Sequence, residues 1–327
     1  MIVVTGAAGF IGSVLVWLLN QRGETDILTV DVHPSDAGEP NLAPLSYDHG
    51  YESHERFRED LLEGKFDGQV RAILHMGACS STTETDWEYL ERNNVQYTKD
   101  LCLAARRIGA RFVHASSAAT YGDGAQGYSD DHAGLDALQP LNLYGKSKQD
   151  FDLWARAEGL LDEICCLKYF NVYGPNEWHN GDMRSKVCKG YEQVRDHGLV
   201  RLFRSDRPEY PDGGQRRDFI YVKDAAAMTL WLLDHPEANG VVNVGTGHAN
   251  DWNTLMGAIF AALGLAPRIE YIDMPEQLKG KYQYFTEADM AKLRAMGCDV
   301  PITPIEAAVR DYVVNHLVTG RHLGGGG

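Results

Sequence analysis

A chain of 327 residues with 44% hydrophobic content has enough apolar side chain for one large core carrying a lesser one, which excludes a disordered protein. Its formal net charge of −15 excludes a general nucleic-acid binder, whose surface must replace phosphate counterions with Lys and Arg, so any phosphate site must be local. Six cysteines without a C-x-x-C pair point to reduced core thiols rather than a disulfide framework or a zinc site, and no apolar run approaches the ~20 residues of a membrane span.

In chain order, "MIVVTG" opens the chain on a strand and leaves no room for a leader, so a soluble cytoplasmic protein is expected. A helix over "SVLVWLLNQ" follows, then strands "ILTVD" and "AILHMG", a helix from about Asn93 to Ile108, the strand "FVHASS", a helix after Tyr144 and the strand "ICCLKYFN". Strand alternating with helix predicts an α/β fold, a Rossmann-like doubly wound parallel sheet, over residues 1–170. Beyond Gly174 turn-rich segments surround helices expected near Ser185 to Arg195, Lys223 to Asp234, Asn253 to Leu263 and Thr286 to Met296. Residues 171–322 therefore read as a smaller C-terminal substrate-binding α/β lobe, with "VVNVG" returning to the sheet edge and 323–327 as a flexible glycine tail.

"TGAAGFIG" places Gly6, Gly9 and Gly12 after a strand and before a helix. In that context Gly6 permits a tight turn, Gly9 lets the backbone approach a pyrophosphate and Gly12 allows close helix packing, with phosphates at the helix N-terminus. Asp31 ends the next strand and is placed to accept from an adenosine ribose. That favours NAD, because a 2′-phosphate would meet a carboxylate.

In "NLYGKSKQD", Tyr144 and Lys148 lie four apart on one helix face. A free tyrosine titrates near ~10, and a cation beside it favours the phenolate, so Lys148 is expected to lower the Tyr144 pKa. Ser117, at the end of "FVHASS", would hydrogen-bond the reacting oxygen, while Ser116 serves the strand end. Arg216 and Arg217 form a candidate cationic patch suited to bidentate phosphate contacts.

The set "TGAAGFIG", "ASSAATYG", "YGKSK" and "YFNVYGP" resembles the extended short-chain dehydrogenase/reductase superfamily. With "HMGACSSTTETD", "KYFNVYGPNEWH", "RRDFIYV", "NVGTG" and "GKYQYFTEADMAKLRAMG" it resembles, nearly end to end, the ADP-glyceromanno-heptose 6-epimerase family. That resemblance implies a nucleotide-sugar epimerase that oxidises C6 of an ADP-heptose to a ketone and reduces it from the other face with a bound nicotinamide cofactor. It also implies a homo-oligomer, pentameric in that family.

By the same resemblance, Phe10, Ile11, Asp31, Val32, Met76, Gly77, Ala78, Cys79, Ser80, Asn93 and Val172 would line the dinucleotide with the three glycines. Tyr144 and Lys148 would be the catalytic pair and would also bind the cofactor, with Ser117 assisting. Ser81, Asn171, Asn180, Asp182, Lys189, Phe203, Arg204, Ser205, Asp206, Arg217 and Tyr282 would receive the substrate.

Two departures from that pattern stand out. The family's second acid/base, a lysine, is here Asn180, whose amide cannot take a proton near neutral pH. Either His179, Asp182 or a water takes over, or epimerisation is slow, or one base suffices; Lys189 likewise replaces a histidine. The basic residue that helps the family hold NADP is here Gly38, which tips the reading towards NAD. The alternatives are another nucleotide-sugar 4-epimerase or related reductase, and a nucleotide-sugar binder impaired at Asn180. The dehydratase branch is disfavoured because "SSAATYGDG" lacks its threonine-plus-acid pattern.

Overall fold

The computed structural model describes residues 1–32, 40–51, 53–276 and 282–325. The chain runs β1 (Ile2–Thr5), α1 (Phe10–Gln21), β2 (Ile27–Val30), β3 (His49–Tyr51), α2 (His54–Leu62), β4 (Ala72–His75), α3 (Trp87–Leu90), α4 (Tyr97–Ile108), β5 (Arg111–Ser117), α5 (Leu143–Ala157) and β6 (Cys165–Tyr169). It continues through β7 (Asn171–Tyr173), α6 (Lys186–His197), β8 (Val200–Phe203), β9 (Arg216–Tyr221), α7 (Val222–Asp234), β10 (Gly240–Val244), β11 (Ala249–Asp251), α8 (Trp252–Ala262), β12 (Ile269–Ile272), α9 (Ala291–Ala295) and α10 (Ile305–Arg310).

A seven-stranded sheet in the order β10-β6-β5-β4-β1-β2-β3 forms the centre, and every pairing in it is parallel. Strands β1, β2, β4, β6 and β10 are buried at every residue, because helices cover both faces of a parallel sheet and alternation is lost. Helix α1 packs on α7, and α2 on α4. The strand order reverses between β1 and β4, the crevice where doubly wound sheets bind their ligands. β10 joins this sheet beside β6, as expected for "VVNVG". Two smaller sheets, β11-β9-β7 and β12-β8, are formed by strands that follow β6.

Three expectations change. The helix expected from Asn93 begins earlier, as α3 and a π-helical turn over Glu91–Gln96 that runs into α4. Of the helix expected over Thr286 to Met296 only Ala291–Ala295 is helical. The preceding residues bond Asp218 and Asn243 instead: Thr286 Oγ1 accepts from Asp218 N, Ala288 N donates to Asp218 Oδ2, and Asp289 O accepts from Asn243 Nδ2. Leu323, the first residue of the expected tail, is 4% exposed and its amide donates to Asn176. Gly38 lies outside the described residues.

The cysteines are free, all buried except the half-buried Cys79. Among the described residues no cluster could hold a metal, and no helix is long and apolar enough to cross a membrane.

Candidate active site

The turn after β1 shows why its glycines are needed. Gly6 has φ +63, and a Cβ there would sit 2.7 Å from the backbone of Gly77 beyond β4. A Cβ on Gly12 would sit 2.0 Å from Gly6 O, so only glycine lets α1 start this close to β1. Gly9 caps α1 without a side-chain bond, leaving the first-turn amides free for an anion. Asp31 closes the arrangement: its Oδ2 accepts from Ala8 N at 2.9 Å and its Oδ1 from Val32 N at 2.7 Å.

These residues open onto a cleft of about 870 Å³ lined by Gly6, Gly9, Phe10, Ile11, Gly12, Asp31, Val32, Met76, Gly77, Ala78, Cys79, Ser80 and Asn93. Most of the expected dinucleotide set thus converges, but three members do not line the cleft: Val172, which packs half-buried against the core, and the pair Tyr144 and Lys148. The glycine cradle, the uncapped helix end and the strand-end carboxylate fit a dinucleotide.

Ser117 ends β5, and a 3-10 turn over Ala118–Tyr121 follows. Asn142 caps α5 by accepting from Gly145 N at 2.8 Å. Gly145 must lack a side chain, because a Cβ there would lie 2.9 Å from Ala119 O. The two turns therefore touch, which brings Ser117 close to the Tyr144 phenol.

Lys148 lies one helical turn further, 2% exposed, with its Nζ 6.0 Å from the Tyr144 ring centroid. Burial raises the Tyr144 pKa, with the nearby Ser117 hydroxyl acting against it. That corrects the expectation of a lowered phenol: burial outweighs the distant amine, whose own pKa burial brings down to about 8 while Asp152 opposes the change.

Beneath this pair lies a cluster that sequence reasoning passed over. Asp152 and Lys168 are both 0% exposed with Nζ and Oδ2 3.6 Å apart. Ser116 Oγ donates to Asp152 Oδ2 at 2.7 Å, so Ser116 serves the carboxylate rather than only the strand end.

A proton-ordered chain also went unnoticed. Gly77 N–H donates to Thr5 Oγ1, and Thr98 Oγ1 donates to Asn94 O. The Thr98 proton is thus used, so His75 Nε2–H donates to Thr98 Oγ1 at 2.9 Å and Thr5 donates to His75 Nδ1 at 2.6 Å. Burial drives His75 down to about 3, consistent with this neutral tautomer.

Asn94, rather than its neighbour Asn93, braces the segment after β4. It accepts from Cys79 N at 2.8 Å and donates to Cys79 O and Ser147 Oγ, while Ser147 Oγ donates to Tyr144 O. The dinucleotide loop and the Tyr144 helix are therefore tied through one buried amide.

Beyond β7, Asn180 and His179 both line the cleft. Asp182 is fully exposed and 4.0 Å from Lys189, whose Nζ donates to Asp182 O. Ser81 Oγ bonds Thr83 Oγ1, and Asn171 is exposed at the start of β7. Phe203 meets Tyr282 edge to face at 6.0 Å. Arg204 pairs with Asp212 and Asp273, Ser205 N donates to Asp212, and Asp206 N donates to Tyr284 OH.

Arg217 is 7% exposed, stacked over Tyr282 and Trp252 at 5.5 and 5.8 Å, and among the described residues donates only to the carbonyls of Arg216 and Gln283. Arg216 is exposed; adjacent strand residues face opposite ways, so the expected paired patch is divided. The cation sharing the Arg217 side is Lys186, missed by sequence reasoning, whose amine is lowered by desolvation and by the charges of Lys189 and Arg217. Cations gathered in this way suit an anionic ligand.

The comparisons with known proteins agree with this geometry. Residues 2–245 match the profile of the NAD dependent epimerase/dehydratase family. The chain is 55% identical to an ADP-L-glycero-D-manno-heptose-6-epimerase of Nitratidesulfovibrio vulgaris, covering 97% of this chain and 98% of that one. It is 44% identical to one of Alkalilimnicola ehrlichii, over 96% of each.

Among solved structures, the Helicobacter pylori ADP-L-glycero-D-manno-heptose-6-epimerase superposes with a TM-score of 0.78 at 25% identity, over 96% of this chain and 95% of that one. A Thermus thermophilus UDP-glucose 4-epimerase in complex with NAD gives 0.72 at 25% identity, over 97% and 98%. An α/β crevice at the β1/β4 reversal, a glycine cradle and a relative more than half identical along the whole chain leave one conclusion: the chain belongs to the NAD dependent epimerase/dehydratase family.

Proposed function

We propose that the protein is a nucleotide-sugar epimerase that inverts C6 of an ADP-glycero-manno-heptose, with NAD as its cofactor. The observation that carries the substrate is the 55% identity, over 97% of the chain, to a named ADP-L-glycero-D-manno-heptose-6-epimerase. The choice of NAD rests on the Asp31 carboxylate at the end of β2, next to which a 2′-phosphate would be repelled.

The glycine cradle and the α1 N-terminus hold the cofactor pyrophosphate, and Asp31 the adenosine ribose. A bound nicotinamide supplies the hydride acceptor and donor, so that each turnover is redox-neutral. Tyr144 takes the proton from the C6 hydroxyl as the 6-ketone forms and returns one on re-reduction. Ser117 holds the same oxygen, and the Lys148 ammonium favours the phenolate once substrate and cofactor complete the site. Arg217, Lys189 and Lys186 receive the diphosphate, with Phe203 and Tyr282 against the base. Asn180 and His179 meet the sugar in its other presentation. His179 is the titratable member of that pair, and Asn180 can only hydrogen-bond.

Incubating the protein with either ADP-heptose epimer and following both by NMR tests this reading. Formation of the second epimer is expected, and no interconversion at saturating NAD would sink it. If only UDP- or GDP-sugars turn over, the protein is a 4-epimerase of the same family. Binding of ADP-heptose without turnover identifies a binder impaired at Asn180.

A further inference from the structure

The dinucleotide cleft has a wall that reaches past the family profile: Asn41, Trp178 and His179 line it along with the glycine loop, and so does His322, beyond residue 245. Asn41 is 3% exposed, and its Nδ2 lies 2.9 Å from both Ala8 O and Asn176 O. Carbonyl oxygens only accept, so the amide must turn its NH₂ to them and its Oδ1 the other way. That oxygen lies 2.6 Å from His322 Nδ1. Since it also only accepts, His322 carries its proton on Nδ1. Burial first, then His179 and His316, lower the His322 pKa, and the neutral ring keeps a bare lone pair on Nε2.

The end of the chain is pinned there. Leu323 N donates to Asn176 Oδ1 at 3.0 Å, and Asn176 Nδ2 donates to Ser13 Oγ at 3.0 Å in the first turn of α1. Asn176 is fully buried and is the one described non-glycine at positive φ, +76, a conformation Asn tolerates when its surroundings fix it. Trp178 stands edge-on to His322 with centroids 4.4 Å apart. Four segments distant in sequence thus fix one imidazole in the cleft that begins at the glycine turn.

We infer that His322 is a cofactor-site residue: its Nε2 accepts a hydrogen bond from a ribose hydroxyl of the bound nicotinamide dinucleotide. The first-turn amides of α1 offer donors to phosphate oxygens; a lone pair suits the opposite partner, a hydroxyl, and repels phosphate. The inference rests on the dinucleotide reading of the cleft and not on the sugar, so it can fail while the C6 reaction stands.

The test strips cofactor from the purified full chain and titrates NADH by fluorescence near pH ~8, where the imidazole is neutral. Parent, His322→Ala and His322→Gln are compared, each also melted without cofactor. His322→Ala is expected to weaken NADH about tenfold, the equivalent of one lost hydrogen bond, and to lower the cofactor-free melting temperature, because Asn41 Oδ1 loses its donor. His322→Gln, whose amide donates to Asn41 while its oxygen still accepts, is expected to recover part of the loss. NADH affinity within twofold of the parent in His322→Ala, or a loss that Gln does not recover at all, overturns the inference.

Discussion

Replacing Asp152 with Asn separates the two roles open to the buried cluster under the Tyr144 helix, holding the fold and holding the charge of Lys148. Asp152 is the carboxylate that acts on Lys148, and burial acts against it, leaving the amine at about 8. The other titratable groups around the amine carry no charge to replace it. Burial keeps the Cys166 thiol protonated and His75 and His114 neutral, and it raises the Tyr144 phenol. Residues four apart on a helix stand about 6 Å apart. At an effective dielectric of ~20, charges at that distance attract by about 2.8 kcal/mol, or about 2 pKa units.

The sign follows directly. The carboxylate raises the Lys148 pKa, and without it desolvation takes the amine further down, so Lys148 loses its proton near neutrality. If Lys148 works as an ammonium, the alkaline limb of the rate moves to lower pH by ~1–2 units, a full ~2 being the unscreened limit. Asn keeps the volume and the acceptor for Ser116 Oγ, but it strips Lys168 of its 3.6 Å partner, at a cost of about 3–5 kcal/mol in stability. Rates of epimer interconversion should therefore be taken against pH well below the variant's melting temperature. A rate reduced equally at every pH, with the alkaline limb unmoved, refutes the electrostatic role and leaves Asp152 a packing residue.

Gly12→Ala drives a Cβ to 2.0 Å from Gly6 O, which should cost on the order of 1–3 kcal/mol and abolish cofactor retention; melting curves and the absorbance of cofactor released on denaturation check both. Asn180→Lys restores an ionisable amine at a residue that lines the cleft. It should raise epimerisation about tenfold or more if the second proton transfer limits turnover, measured on both epimers. Asp31→Asn removes the strand-end charge while keeping an acceptor for Ala8 N; the preference for NAD over NADP should fall by about tenfold, the worth of one surface-screened charge contact.

What could be read in advance was whatever one short stretch fixes by itself. "TGAAGFIG" dictates its own turn, since Gly6 at φ +63 and Gly12 against Gly6 O have no other solution, and helical spacing alone puts Tyr144 and Lys148 on one face. The same local logic failed where the period was misapplied. Arg216 and Arg217 are adjacent on β9 and so point apart. Residues 286–290 carry helical character but are drawn into extended contacts with Asp218 and Asn243, because those buried partners need them more than a helix does. The direction of the Tyr144 pKa was misjudged for a related reason. Spacing predicts that a cation is near, but how far burial opposes it depends on the walls around the phenol.

The residues that escaped sequence reasoning altogether share one property: their partners are remote in the chain. Asn94 works by gripping both backbone groups of Cys79, fifteen residues back, and Ser147, fifty-three ahead. Asn41 joins Asn176 across 135 positions and His322 across 281. No window of sequence contains such a site, and its members read singly as an ordinary loop amide and a C-terminal histidine. The division has a functional edge. The locally encoded part, the glycine turn and the tyrosine helix, carries chemistry common to many nucleotide-sugar enzymes. The remotely assembled part orients that chemistry and closes the cleft around it. Differences among close relatives in how firmly they keep their cofactor should therefore trace to positions such as Asn41, Asn176 and His322 sooner than to Gly9 or Tyr144.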